Sequence, residues 1–189
     1  RNEKEAKQYQ KIATEILEGQ LKLTVNKEKT HITHVGKGVR YLGFMIYRKV
    51  VGIDPDKIKA FKVKIKGLTP RNHGKNVEQV VMELNPVLRG WINYYRIANC
   101  KGILAEIMQW LRRRLRMKKM KEWKTWKALH KELRRRGYHG RFERISVTTW
   151  RNSVSPLVHL ALPDKWFKEM GLVDLTTYQV GVLHYYYEK

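Results

Sequence analysis

The stretch Leu84–Arg96, LNPVLRGWINYYR, decides how the rest of the chain is read. Asn85-Pro86 carries a helix-start signal: an Asn side chain accepts from free first-turn N–H groups, and Pro fits the first helical position. Behind it Leu88, Trp91 and Tyr95 recur at spacings of three and four, the helical period. Arg89 and Arg96 stand off that stripe, with Asn93 beside them. The expectation is a helix that buries aromatic residues on one side and presents guanidinium groups on the other. Such a helix suits a nucleic-acid backbone. The other reading is a core helix with solvated charges.

Upstream, Val77, Val80, Val81 and Leu84 form a helical face that runs into Asn85-Pro86, where the proline implies a kink or a fresh start. Gly67 to Lys75 reads as a loop, and Ile58, Phe61 and Ile65 follow a helical period from Asp56. Ahead of Asp54-Pro55, residues 3–18 read as an amphipathic helix with Ala6, Tyr9, Ala13, Ile16 and Leu17 on one face and Gly19 as its stop. Leu21–Val25 and Thr30–Val35 alternate as short strands around a turn at Asn26 to Lys29. Val39–Arg48 is the strongest strand candidate, with Val50–Ile53 as a hairpin partner.

Downstream, Ile103, Ile107, Trp110, Leu111 and Leu115 predict one helix. Trp123, Trp126, Leu129 and Leu133 predict another, ending at Gly137. Ser155-Pro156 opens an apolar run to Leu162, and Asp164 caps a short helix with Trp166, Phe167 and Met170 that Gly171 ends. The fold class is α+β: a small antiparallel sub-sheet with a packed helix, then an α-helical bundle, then a small mostly helical C-terminal domain. The expected divisions are 1–55, 56–136 and 137–189.

Charge sets the chemistry. The net charge is +23 with a pI near 10.2, and the apolar share of 42% is that of a globular chain. The surplus is uneven: residues 101–151 carry seventeen Lys/Arg against four acids, and residues 152–189 carry three against four. A concentrated surplus of this size points to a polyanion that neutralises it. Cys100 is the single cysteine, which rules out an internal disulfide and a cysteine-rich zinc site and fits a reducing, cytoplasmic setting. No apolar run approaches the ~20 residues of a membrane span. The first residue is Arg1, and helical periodicity starts at once, so the chain reads as cut from something longer.

Ser153 and Ser155 lack an ordered base, so no nucleophile constellation emerges. His31 and His34, three apart on an expected strand, face opposite sides and do not suggest a metal site. Asp54 and Asp56 suit a turn and cap better than a cation. The basic run is the strong signal: Arg112, Arg113, Arg114, Arg116, Lys118, Lys119 and Lys121 lead through Trp123 and Trp126 to Arg134, Arg135 and Arg136. Phosphates that neutralise such a run release counterions, so binding falls steeply with salt.

Read together, these motifs resemble the group II intron reverse transcriptase/maturase family along essentially the whole chain. Leu23-Thr24-Val25-Asn26 with Lys29-Thr30 is similar to palm motif D, and Tyr41-Leu42-Gly43-Phe44 to the primer-grip hairpin. Leu84–Arg96 resembles the thumb, or maturase-specific, helix. Ser155 to His159 and Pro163 to Trp166 resemble the segment after the thumb. The resemblance implies a role for Lys29 at the leaving group or its charge, and a primer grip at Tyr41, Leu42, Gly43 and Phe44. It implies phosphate contacts at Arg89 and Arg96. Its partners would be intron RNA, an RNA/DNA template–primer duplex and an N-terminal palm and fingers half.

The family's Tyr-x-Asp-Asp strand, whose carboxylates hold two magnesium ions, belongs just before the first helix, and it is not in this sequence. No cofactor is expected in this chain; Mg2+ belongs with the palm half. Two readings follow: an RNA-binding C-terminal part of such an enzyme, inactive as a polymerase by itself, or a stand-alone RNA-binding splicing factor or RNA chaperone without polymerase activity.

Overall fold

A computed structural model describes residues 2–72 and 74–181, and it divides at Val50/Val51 into two compact units. The architecture is α+β, as the sequence predicts.

The first unit opens with helix α1, Glu3–Glu15. Asn2 caps it by accepting from the Glu5 N–H at 3.0 Å, and a π-helical turn, Ile16–Gln20, continues it. The apolar stripe is present, yet α1 buries none of its residues; Tyr9 and Ile12 face solvent. Leu21–Val25 and Thr30–Val35 are not strands, contrary to expectation. Lys22 sits at φ 54, outside the β region, and local bonds occupy the turn between the two segments. Asn26 Oδ1 accepts from the Lys29 N–H at 3.1 Å and Asn26 O from the Thr30 hydroxyl at 2.7 Å. Such side-chain bonds compete with a ladder.

Val39–Arg48 is likewise two strands rather than one. Strands β1, Val39–Tyr41, and β2, Phe44–Ile46, pair antiparallel with Tyr41 opposite Phe44. Leu42 at φ 48 and Gly43 at φ 82 form the two-residue turn; positive φ at both central positions matches the twist of a hairpin.

The second unit begins with strand β3, Val51–Ile53, and helix α2, Pro55–Leu68. Asp54 accepts from the Asp56 N–H at 3.0 Å, and Pro55 takes the first turn, so Asp54 is a cap as the sequence suggests. Helix α3 spans Val77–Tyr95 and starts at a capping box in which Asn76 and Gln79 bond reciprocally. It does not restart at Asn85-Pro86. Pro86 lies inside it, and the carbonyl that loses its N–H partner belongs to Met82, which is 65% exposed and open to water. Asn85 has a different task, bonding to residues 171 and 173.

Helix α4, Lys101–Glu122, is the axis of this unit, and helix α5, Trp126–Arg135, follows it. Trp123 ends α4 instead of opening α5. Helices α6, Pro156–Ala161, and α7, Asp164–Glu169, complete the chain, with Gly171 at φ 75 closing α7. Asp164 is the first residue of α7, not its cap.

Leu84, Leu88 and Ile92 of α3 are fully buried, as are Leu104, Ile107, Leu111 and Leu115 of α4. A second cluster joins Met120, Leu129 and Leu133 to Ile145, Val147, Val158 and Leu162. The segment after Gly137 therefore shares a core with the helices before it. Residues 182–189, part of the expected C-terminal domain, lie outside the described residues.

Candidate nucleic-acid interface

Helix α3 separates its two chemistries cleanly. Val77, Val80, Val81, Leu84, Leu88, Ile92 and Tyr95 are buried, a stripe at the helical period. Trp91 is half-buried and stacks on Phe61 of α2, ring centroids 4.2 Å apart and planes 6° from parallel. That stack fixes the rotation of α3. Arg89, Asn93 and Arg96 are exposed. At spacings of four and three they lie in one row along the helix. Neither arginine has an ion pair among the described residues. Beside the row is a groove of about 380 Å³ lined by Phe61, Lys64, Pro86, Val87, Gly90 and Trp91.

The basic run of α4 is placed differently. Arg116 is 4% exposed; its Nε donates to Leu162 O at 2.9 Å and its Nη2 to Asp164 Oδ1 at 2.8 Å. Burial lowers the Arg116 pKa, and Asp164 works against that shift. Arg112 donates to Asp164 Oδ2 at 2.9 Å and to Asp174 Oδ2 at 2.7 Å. Arg114 donates to Thr69 Oγ1 and Thr69 O, each at 2.7 Å, and its guanidinium is also lowered by burial. The Arg113 guanidinium lies 5.2 Å from the Trp150 ring centre.

Lys118 is buried, and desolvation lowers its pKa. For Lys119 desolvation acts downward, but Glu78 and Glu122, at 3.0 and 3.2 Å, outweigh it and raise the pKa. Lys121 bonds to Asn72. A run that reads as a polyanion surface is thus largely turned toward the protein's own loops and tail. Asp164, Asp174, Thr69 and Trp150 are the partners that sequence reasoning did not find. They include residues 45 to 62 positions away from the arginines they meet, beyond the reach of any local pattern.

On α5, Arg135 and Arg136 both bond to Glu132, whose carboxyl they hold below the ordinary range, Arg135 most strongly. Arg134 is exposed and lies over the Phe142 ring.

In the first unit the hairpin turn leaves Tyr41 and Leu42 61% and 66% exposed while Phe44 is buried. Lys29 is exposed at its turn. Among the described residues no group of three or more His, Cys, Asp or Glu could hold a metal ion. No helix of the described residues is long and apolar enough to cross a membrane.

No curated protein matches the chain. The family model for the group II intron, maturase-specific domain matches residues 58–137. That span begins in α2 and ends just past α5, and it contains the buried stripe and outward arginines of α3. Over this span the chain is similar to the maturase-specific domain of group II introns.

Proposed function

We propose that this chain binds intron RNA and acts in group II intron splicing and in complementary-DNA synthesis as the thumb-bearing part of a reverse transcriptase. The observation that carries the reading is the row Arg89, Asn93 and Arg96, exposed on a helix whose opposite face is locked into the core. Guanidinium groups on a rigid rod can meet successive phosphates without an ordering cost at each contact. The two-residue turn that exposes Tyr41 and Leu42 supports a primer-grip role for Tyr41 to Phe44. Lys29, exposed at its turn, serves as a charge near the leaving group in the same reading. The template–primer duplex and an N-terminal palm and fingers half, which would bring the magnesium-binding carboxylates, are the partners this requires.

The second unit has its own core, which supports the other reading, an RNA-binding splicing factor or chaperone that needs no palm partner. Binding of the full chain to a group II intron transcript, against an unrelated RNA as competitor, tests what the two share. Primer extension after mixing with a palm and fingers half separates them. Extension only in the mixture supports the polymerase reading. Intron binding without extension by a folded mixture favours the splicing factor, and loss of all preference for the intron transcript contradicts both.

A further inference from the structure

Helix α5 and the strap that follows it exchange cations. Arg134 of α5 lies over Phe142 of the strap, 5.0 Å from the ring centre, and Arg144 of the strap lies over Trp126 of α5, at 5.2 Å. Between them runs a ladder of rings: Trp126 to His130 at 4.8 Å, His130 to Phe142 at 5.1 Å, and Phe142 to Tyr138 at 5.4 Å. His130 is 5% exposed, and its Nε2 is 2.7 Å from Glu143 O, a bond that pins the strap to the helix. Both stacked arginines are exposed, and neither has an ion pair among the described residues. The nearest acid on the helix, Glu132, is taken by Arg135 and Arg136. Lys127, Lys131 and Arg141 are exposed on the same two elements.

A guanidinium over a ring keeps its planar edge of N–H donors free for other acceptors, with its rotamer restricted in advance. We propose that Arg134 and Arg144, each seated over a ring of this ladder, form a second RNA-backbone contact on the α5 and strap surface. Charge complementarity argues for a phosphodiester partner, and the matched maturase-specific domain, which includes Arg134, argues for RNA. The proposal rests on the reading of the chain as an intron RNA binder. It adds a surface separate from the Arg89 and Arg96 row.

The test is the salt dependence of binding by the full chain to a group II intron transcript, with a DNA duplex of equal length as a second probe. R134Q/R144Q should lower the slope of log affinity against log salt by about 0.7 to 0.9 for each phosphate that is no longer neutralised. R134K/R144K keeps the charge and loses the planar stack, so it should hold the slope while affinity falls on the order of tenfold. Both should remain fully folded under the binding conditions, with the denaturant midpoint lowered only modestly by loss of the two ring contacts. An unchanged slope in R134Q/R144Q overturns the second surface while leaving the α3 reading intact. Full affinity in R134K/R144K overturns the role of the rings. Equal dependence with the DNA duplex overturns the assignment to RNA, and a parent chain that fails to bind the transcript overturns this proposal together with the function it rests on.

Discussion

The Asn85 side chain on α3 donates to Gly171 O at 2.9 Å, while its oxygen accepts from the Val173 N–H at the same distance. One amide thus satisfies both backbone groups of the turn that ends α7, 86 positions downstream. Asn85→Ala should lower stability by about 1–2 kcal/mol, since two neutral bonds are removed at a partly exposed site. Pro86→Ala, which restores a helix N–H, should not lower it. Denaturant midpoints check both; equal midpoints for Asn85→Ala and the parent would remove the tether from the account.

Arg116 and Asp164 make the corresponding clamp from α4. Arg116 is nearly sealed, whereas the Asp164 side chain is 56% exposed, so the ion pair is partly screened. Asp164→Asn should cost about 1 kcal/mol, because Arg116 keeps its bond to Leu162 O. Arg116→Ala should cost more, about 3 kcal/mol, because packing over Phe167 disappears and a carbonyl is orphaned. The order of the two unfolding midpoints is the check, and a larger loss for Asp164→Asn would reverse the assignment.

Acid should loosen the same tail. Burial alone raises the Asp174 carboxyl, but the Thr176 hydroxyl and amide and the Arg112 guanidinium outweigh it, and the net shift is downward. Stability from a depressed carboxyl is fully present above the unfolded value of about 3.9 and is lost as pH falls through the lower folded value. The gap in unfolding free energy between the parent and Asp174→Asn should therefore be constant near neutrality and shrink below about pH 4. A gap that stays constant down the acid limb would show that Asp174 is not a charge-dependent partner.

The Phe61 and Trp91 stack should be the main support for the orientation of α3. Phe61 is 3% exposed. Phe61→Ala should cost about 3–5 kcal/mol, and Phe61→Leu distinctly less. Near-ultraviolet circular dichroism of Trp91 should follow the same order. An unshifted midpoint for Phe61→Ala would mean that α3 is held by something else.

Legibility in the sequence follows the range of the interactions. The buried face of α3 is readable because its period is local, and so is Asp54 as a cap, which bonds two residues away. Asn85-Pro86 reads wrongly as a helix start because an Asn that caps its own helix and one that holds a distant turn look alike in sequence. The strands expected at Leu21–Val25 and Thr30–Val35 rest on alternation, which marks a surface able to pair without supplying a partner. Arg112 to Lys119 look solvent-facing because their charge is local information. The distant groups that meet them, Thr69 and Glu78 ahead of the helix and Trp150, Leu162, Asp164 and Asp174 after it, are not.

The proposed function turns on the polyanion meeting the outward row of α3. Its most direct measurement is the salt dependence of intron-transcript binding by the full chain and by R89Q/R96Q, with Asp164→Asn as a structural control. R89Q/R96Q should lose about 0.7 to 0.9 from the slope for each arginine, with an unchanged unfolding midpoint, while Asp164→Asn keeps the parent slope. A parent-like slope in R89Q/R96Q would contradict the account.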